Sequence, residues 1–337
     1  MEILFYIGLI CLCLFINGVK SNPKIVNTIS YISVCLILPV IVRSSGYGTD
    51  IISYIEYFTN PLFTPAQFGS EPILYSFQRF IFGFVRDPKY VFIISDIFIL
   101  NVLWFSISRL FKGFYKSEDL YLSEKSLGFI FLAIIISWPF FTGFQNLYRQ
   151  FWAVSILLCA ISYSKTHPKS SFSLLILSCF THNAVAIAIP IFLIYRSKRF
   201  SKKAPYLILI PSIPMMVYLS QFRSEFYVGE ALVLSYSFFL AYIGFLFYIL
   251  GIYSWSKNNL SFSLPNIISI MFLITFLSYL LLPNSQSERM ALMVYSLLIP
   301  FLLLILLPFS RENKLPVQLF VLLITTPTFT FYLNSLN

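Results

Sequence analysis

Residues 172–195 read FSLLILSCFTHNAVAIAIPIFLIY, an apolar stretch with positive charge at both ends. Lys165, His167 and Lys169 precede it; Arg196, Lys198, Arg199, Lys202 and Lys203 follow. Roughly 20 apolar residues normally cross the hydrocarbon core once. Loops rich in Lys and Arg, however, belong on the cytoplasmic side. If both flanks are cytoplasmic, the segment enters and returns, and His182 marks the turn. The two arms, 172–180 and 184–195, would reach about 14 and 18 Å at the helical rise, roughly half the core. Thr181, His182 and Asn183 form a polar break between them. Non-helical backbone at that depth is tolerated only beside protein or water, so a wet cavity open to the outer face is expected.

The rest of the chain has the same character. Apolar side chains make up 58% of it and charged ones 11%, far below the quarter usual in soluble domains. The apolar runs are continuous rather than alternating, which selects helices over a transmembrane barrel. The expected fold class is all-α: a polytopic integral membrane protein with about ten transmembrane helices plus one re-entrant helical hairpin, 1–337 forming a single membrane-integral domain. The net charge of +10 follows the positive-inside bias and does not indicate nucleic acid. Cys11, Cys13, Cys35, Cys159 and Cys179 all lie within apolar runs and read as small buried hydrophobes; no metal site is expected.

Residues 1–18 predict a retained first helix with its N-terminus outside. Lys20 and Lys24 place loop 19–24 inside, and a helix over about 25–43 exits. Residues 44–88 form a long outer segment with a short apolar piece at 73–85, too polar to cross. Further helices are expected at about 89–108, 127–143, 148–164, 205–221, 232–255, 264–282, 290–308 and 316–334.

Unusual polar residues gather on the outer side. Asp50, Glu56, Glu71 and Arg79 sit in segment 44–88. Arg149 and Gln150 open one helix from outside, and Glu288 and Arg289 open another. Each has a bland reading. Arg149 and Arg289 could snorkel to headgroups, Asp50 could cap a helix, Glu71-Pro72 could start one, and His182 could simply shape a turn. Asp96, inside an apolar helix, reads as structural. Their agreement on one leaflet is the stronger signal, because ionisable residues in spanning regions are costly and mark function. Arginine grips phosphate bidentately, and a carboxylate or histidine can activate a hydroxyl. Together they suit transfer of a glycan from a lipid diphosphate, with no nucleotide site and no cofactor.

Tyr47-Gly48-Thr49-Asp50 with Tyr54, Glu71-Pro72 before an apolar stretch, Arg149-Gln150 leading to Ala153, and His182-Asn183-Ala184 resemble elements of the EpsG-like, Wzy-type polysaccharide polymerases. The resemblance covers roughly 45–185; beyond that only hydropathy matches, and Asn183 stands where Ser is more usual. It implies a GT-C-like membrane glycosyltransferase of the bacterial cytoplasmic membrane that polymerises undecaprenyl-diphosphate-linked oligosaccharides (O-antigen or capsule repeats) at the outer face. It implies the bilayer, a lipid-linked donor and acceptor, a chain-length regulator and a flippase as partners. The catalytic residues it suggests are Asp50, Glu71, Arg149 and His182. Arg79, Gln150, Glu288 and Arg289 would bind substrate. Asp50, Glu71 and His182 all remain open as the base. An O-antigen-ligase-like transferase and a lipid-linked-glycan flippase are the competing readings.

Overall fold

The computed structural model describes residues 2–18, 22–46, 49–60, 71–114, 120–196, 244, 263–281, 284–306 and 314–334. Among the described residues every regular element is helical. The helices are α1 (Glu2–Gly18), α2 (Pro23–Ser45), α3 (Thr49–Thr59), α4 (Pro72–Val85), α5 (Pro88–Phe114), α6 (Leu120–Ile136), α7 (Trp138–Gln145), α8 (Tyr148–Tyr163) and α9 (Pro168–Thr181). A 3-10 helix, Asn183–Ala188, then leads to α10 (Ile189–Arg196), α11 (Ser263–Leu281), α12 (Asn284–Leu306) and α13 (Leu315–Asn334). The chain forms two compact units, Met1–Val185 with Ile324–Asn337, and Ala186–Leu323.

Local chemistry sets the helix starts. Proline lacks the N–H that a first turn leaves orphaned, and Pro23, Pro72, Pro88 and Pro168 each occupy the first helical position. The Asn22 and Asp87 side chains accept hydrogen bonds from the Lys24 and Lys89 amides, 3.0 and 2.8 Å away, as capping residues do. Pro39 lies inside α2, where it cannot donate to the preceding turn. The helix widens to a π turn over Ile32–Ile37 just before it, which relieves the missing bond. α4 ends on Arg86 in the left-handed region, φ 59°.

Among the described residues, two helices, Pro23–Ser45 and Pro88–Gly113, are long and apolar enough to cross a membrane. A third span results if Leu127–Ile136 and Trp138–Gln145, bent by 62°, count as one. The sequence predicts an unbroken helix over about 127–143. It breaks at Ser137 instead, because Pro139 cannot continue the preceding turn. The expected helices at 205–221 and 232–255 lie outside the described residues, apart from helical Gly244. The stretch 172–195 does break at the predicted place. His182 is extended, φ −155° and ψ 114°, between α9 and the 3-10 helix.

The first unit is built around α8. Nearly every residue from Gln150 to Ser162 is buried, and α8 packs against both α5 and α9. A helix apolar on all sides belongs in such a central position. Beside it, α2 and α6 approach closely at Gly128, whose amide donates to Asn27 Oδ1 at 2.8 Å. Small residues permit this approach between apolar helices.

Candidate active site

Three residues far apart in sequence meet in the first unit. Glu71 stands immediately before α4, Arg149 lies in the first turn of α8, and His182 sits at the break after α9. Pro72 fixes the start of α4, so the Glu71 side chain is delivered at a helix end. The polar break delivers His182 in the same way.

The Glu71 carboxylate is 1% exposed and has three donors. Arg149 Nη1 lies 2.5 Å from Oε2. Asn183 N–H donates to Oε1 at 2.9 Å, and His182 Nδ1 lies 3.0 Å from the same oxygen. Burial pushes the carboxyl up, but the His182 hydrogen bond and charge, the Arg149 charge and the Asn183 amide outweigh it and hold it at about 2. The carboxylate is therefore ionised and acts as acceptor, so Nδ1 of His182 carries the hydrogen of that bond. In the neutral imidazole Nε2 then carries the lone pair. The His182 and Arg149 side chains are 16% and 20% exposed, so both reach the surface while Glu71 stays beneath them.

Arg149 has a second hold. Its Nε donates to Tyr54 Oη at 3.2 Å. Tyr54 belongs to a tyrosine cluster with Tyr57, Tyr75 and Tyr148, ring centroids 6.1, 5.8 and 6.5 Å from its own. Nη2 of Arg149 makes no hydrogen bond among the described residues, so one edge of the fork is open to an anion.

Other expected site residues fall elsewhere. Arg79 Nε donates to the Tyr57 carbonyl at 2.9 Å, tying α4 to α3, and is not among the three donors to Glu71. Gln150 is buried on α8 and is not among the groups that hold Glu71. Asp50 belongs to α3, four residues before Tyr54, but its side chain lies outside the described residues, as does that of Glu288. Arg289 is exposed in the second unit. Among the described residues no group of three His, Cys, Asp or Glu side chains is placed to hold a metal ion.

One polar group beside the site was not anticipated. Arg43, buried at 2% exposure, donates to Asp96 through Nε at 2.7 Å and Nη2 at 3.2 Å, and to the Phe144 carbonyl at 2.9 Å. Tyr148 Oη donates to Asp96 Oδ1 at 2.6 Å. The guanidinium also lies 4.8 Å from the Phe144 ring centroid. Tyr148 immediately precedes Arg149, so this buried pair anchors the start of α8. The signal was present: one opposite charge in each of two apolar runs.

No curated protein and no solved structure shows significant similarity to this chain. The model of the EpsG family, a family of Wzy-like polymerases, matches residues 24–337. With nearly its whole length matched, and not only the 45–185 portion whose motifs carried the resemblance, the chain belongs to the EpsG family.

Proposed function

We propose that the protein is a membrane glycosyltransferase that polymerises undecaprenyl-diphosphate-linked oligosaccharide repeats at the outer face of the cytoplasmic membrane. The observation that carries this reading is the Arg149–Glu71–His182 cluster. It combines a partly open guanidinium with a carboxylate-oriented imidazole, which is what displacement of a diphosphate by a hydroxyl requires.

The donor is the growing glycan on its lipid diphosphate. The acceptor is a sugar hydroxyl of the incoming lipid-linked repeat. His182 Nε2 takes the hydroxyl proton as the oxygen attacks the anomeric carbon, and the bond from that carbon to the diphosphate oxygen breaks. The electron pair leaves with the diphosphate, whose charge Arg149 meets. A fixed cation in a site of low dielectric is the largest expected contribution. Glu71, held at about 2, is too weak a base for the proton. Its part is to orient His182 and stabilise the imidazolium, as a buried carboxylate does beside a catalytic histidine. A single direct displacement inverts the anomeric configuration.

The test is complementation of a deletion strain, reading surface glycan length on a gel. H182A and R149A should leave single-repeat glycans at normal protein level. Long ladders from both variants would overturn the site. Loss of all lipid-capped glycan, rather than retention of one repeat, would indicate a ligase.

A further inference from the structure

A groove of about 740 Å³ opens on the surface of the first unit. Its floor is α8, through Cys159 and Tyr163; its walls are α5, through Phe98, Asn101 and Phe105, and α9, through Ser173. Phe98 and Phe105 are 45% and 47% exposed, so the groove opens sideways.

Helical spacing connects this groove to the active site. Residues three or four apart share a helix face. Arg149, Trp152, Ile156, Cys159 and Tyr163 therefore form one stripe along α8, about 21 Å from end to end at the helical rise. Its top is the arginine of the active site and its bottom is the groove floor. The junction is aromatic: Phe98 stacks on Trp152 with centroids 5.7 Å apart and planes at 26°. Phe77 of α4, the helix that Glu71 opens, packs on both rings at 4.9 and 5.1 Å. At the far end the Arg109 guanidinium lies 4.2 Å from the Tyr163 ring centroid. It also bonds to the Ser162 carbonyl and to Thr166.

The lining suits hydrocarbon. Asn101 spends its amide inside the fold, accepting from Tyr31 Oη at 2.6 Å and donating to the Ile97 carbonyl at 2.7 Å. Ser173 Oγ turns back to the Lys169 carbonyl. The wall thus presents rings and methylenes, with its polar atoms turned to the backbone or to a neighbouring helix.

We infer that this groove holds the polyprenyl chain of the lipid-linked substrate whose diphosphate sits at Arg149. The inference rests on the polymerase reading above, and it adds where the lipid lies and which residues select it. A chain leaving a diphosphate at the head of α8 passes over Phe77 and Phe98, the rings that cover buried Trp152, and enters the groove that Phe98 lines. Tail length then contributes to affinity through apolar contact along the groove, in a part of the molecule separate from the chemistry.

Photo-crosslinking of the full-length protein in nanodiscs tests this, with p-benzoylphenylalanine at position 173 and, as control, at position 172. Phe172 is 51% exposed and, one residue away, points about 100° around the helix from Ser173. The probe is radiolabelled undecaprenyl diphosphate without sugar. Capture at position 173 should saturate and be chased by unlabelled undecaprenyl diphosphate but not by phosphatidylglycerol, while capture at 172 is chased by neither. Equal chase by phosphatidylglycerol, or no chase at 173, would overturn the inference by showing ordinary bilayer lipid there. Separately, S173W should raise the KM for the lipid-linked donor about tenfold, the loss expected from one or two buried methylenes; an unchanged KM counts against the groove. The probe carries no glycan, so specific capture survives even if the protein proves not to be a polymerase. A dead R149A beside unselective capture would remove the groove alone.

Discussion

Glu71 and Arg149 are 78 residues apart in sequence and 2.5 Å apart in the fold. The pair joins the start of α4 to the start of α8. Tyr54 holds the other side of the same guanidinium, so Arg149 is fixed in direction before any substrate arrives. A cation with its geometry settled in advance stabilises developing charge without reorganising.

Replacing Arg149 by lysine should therefore cost nearly as much as replacing it by alanine. A lysine ammonium is a point charge on a flexible stem. It cannot hold Tyr54 and Glu71 and still offer a planar edge to a diphosphate. Both variants should lose about 10²–10³-fold in turnover, measured as glycan polymer formed from purified lipid-linked repeats. Activity in R149K within a few-fold of the parent would show that charge alone suffices.

The depressed Glu71 carboxyl gives a signed pH prediction. Its ordinary value is 4.5 and its folded value about 2. A group lowered in the folded state contributes stability that is present above 4.5 and lost as pH falls through about 2. Such a shift corresponds to on the order of 3 kcal/mol. E71Q removes it, since the amide does not titrate. The difference in thermal stability between parent and E71Q in detergent should shrink steadily as pH falls from about 4.5 toward 2. A difference independent of pH over that range would mean that Glu71 is not held as a carboxylate.

Much of this site was legible in the sequence because its residues sit where apolar runs begin or break. Glu71-Pro72, Arg149 and His182 are charges or breaks at helix ends, and hydropathy finds ends well. Asp50 and Glu288 gave the same kind of signal, yet their side chains lie outside the described residues. What hydropathy could not give was partnership. The three donors on the Glu71 carboxylate, for example, are visible only in the fold. That the Arg79 Nε bonds to a backbone carbonyl of α3 was likewise invisible in the sequence. The Arg43–Asp96 pair was missed because a charge within an apolar helix declares a cost but not a partner. The break at Ser137 was missed because continuous hydropathy hides a proline kink.

The Arg43–Asp96 pair should behave as a buried anchor. R43M leaves buried Asp96 without its cation and with only Tyr148 as donor, at an expected cost of about 3–5 kcal/mol. R43M combined with D96L removes both charges and should recover most of that. The excess over additivity in a double-mutant cycle, read from melting in detergent, measures the coupling. Because Arg43 also holds the Phe144 carbonyl and Asp96 holds Tyr148, R43M should lower turnover through a displaced Arg149. If R43M melts like the parent, the pair is not an anchor.

The close approach of α2 and α6 gives the last prediction. A methyl at position 128 would meet Ser30 Oγ at 2.8 Å, with Asn27 Oδ1 and Val26 Cγ1 each at 3.0 Å. The first contact is shorter than real carbon contacts allow, so the buried Ser30 hydroxyl must turn or the helices must separate. Separation would stretch the 2.8 Å bond from the Gly128 amide to Asn27. Ordinary helix propensity favours alanine over glycine by up to about 1 kcal/mol, whereas overpacking costs about 1–3 kcal/mol. Overpacking wins, and G128A should melt lower than the parent. G128A with S30A removes the nearest clash but not the other two, so it should recover part of the loss. A G128A protein more stable than the parent would mean that α2 and α6 do not meet at this glycine.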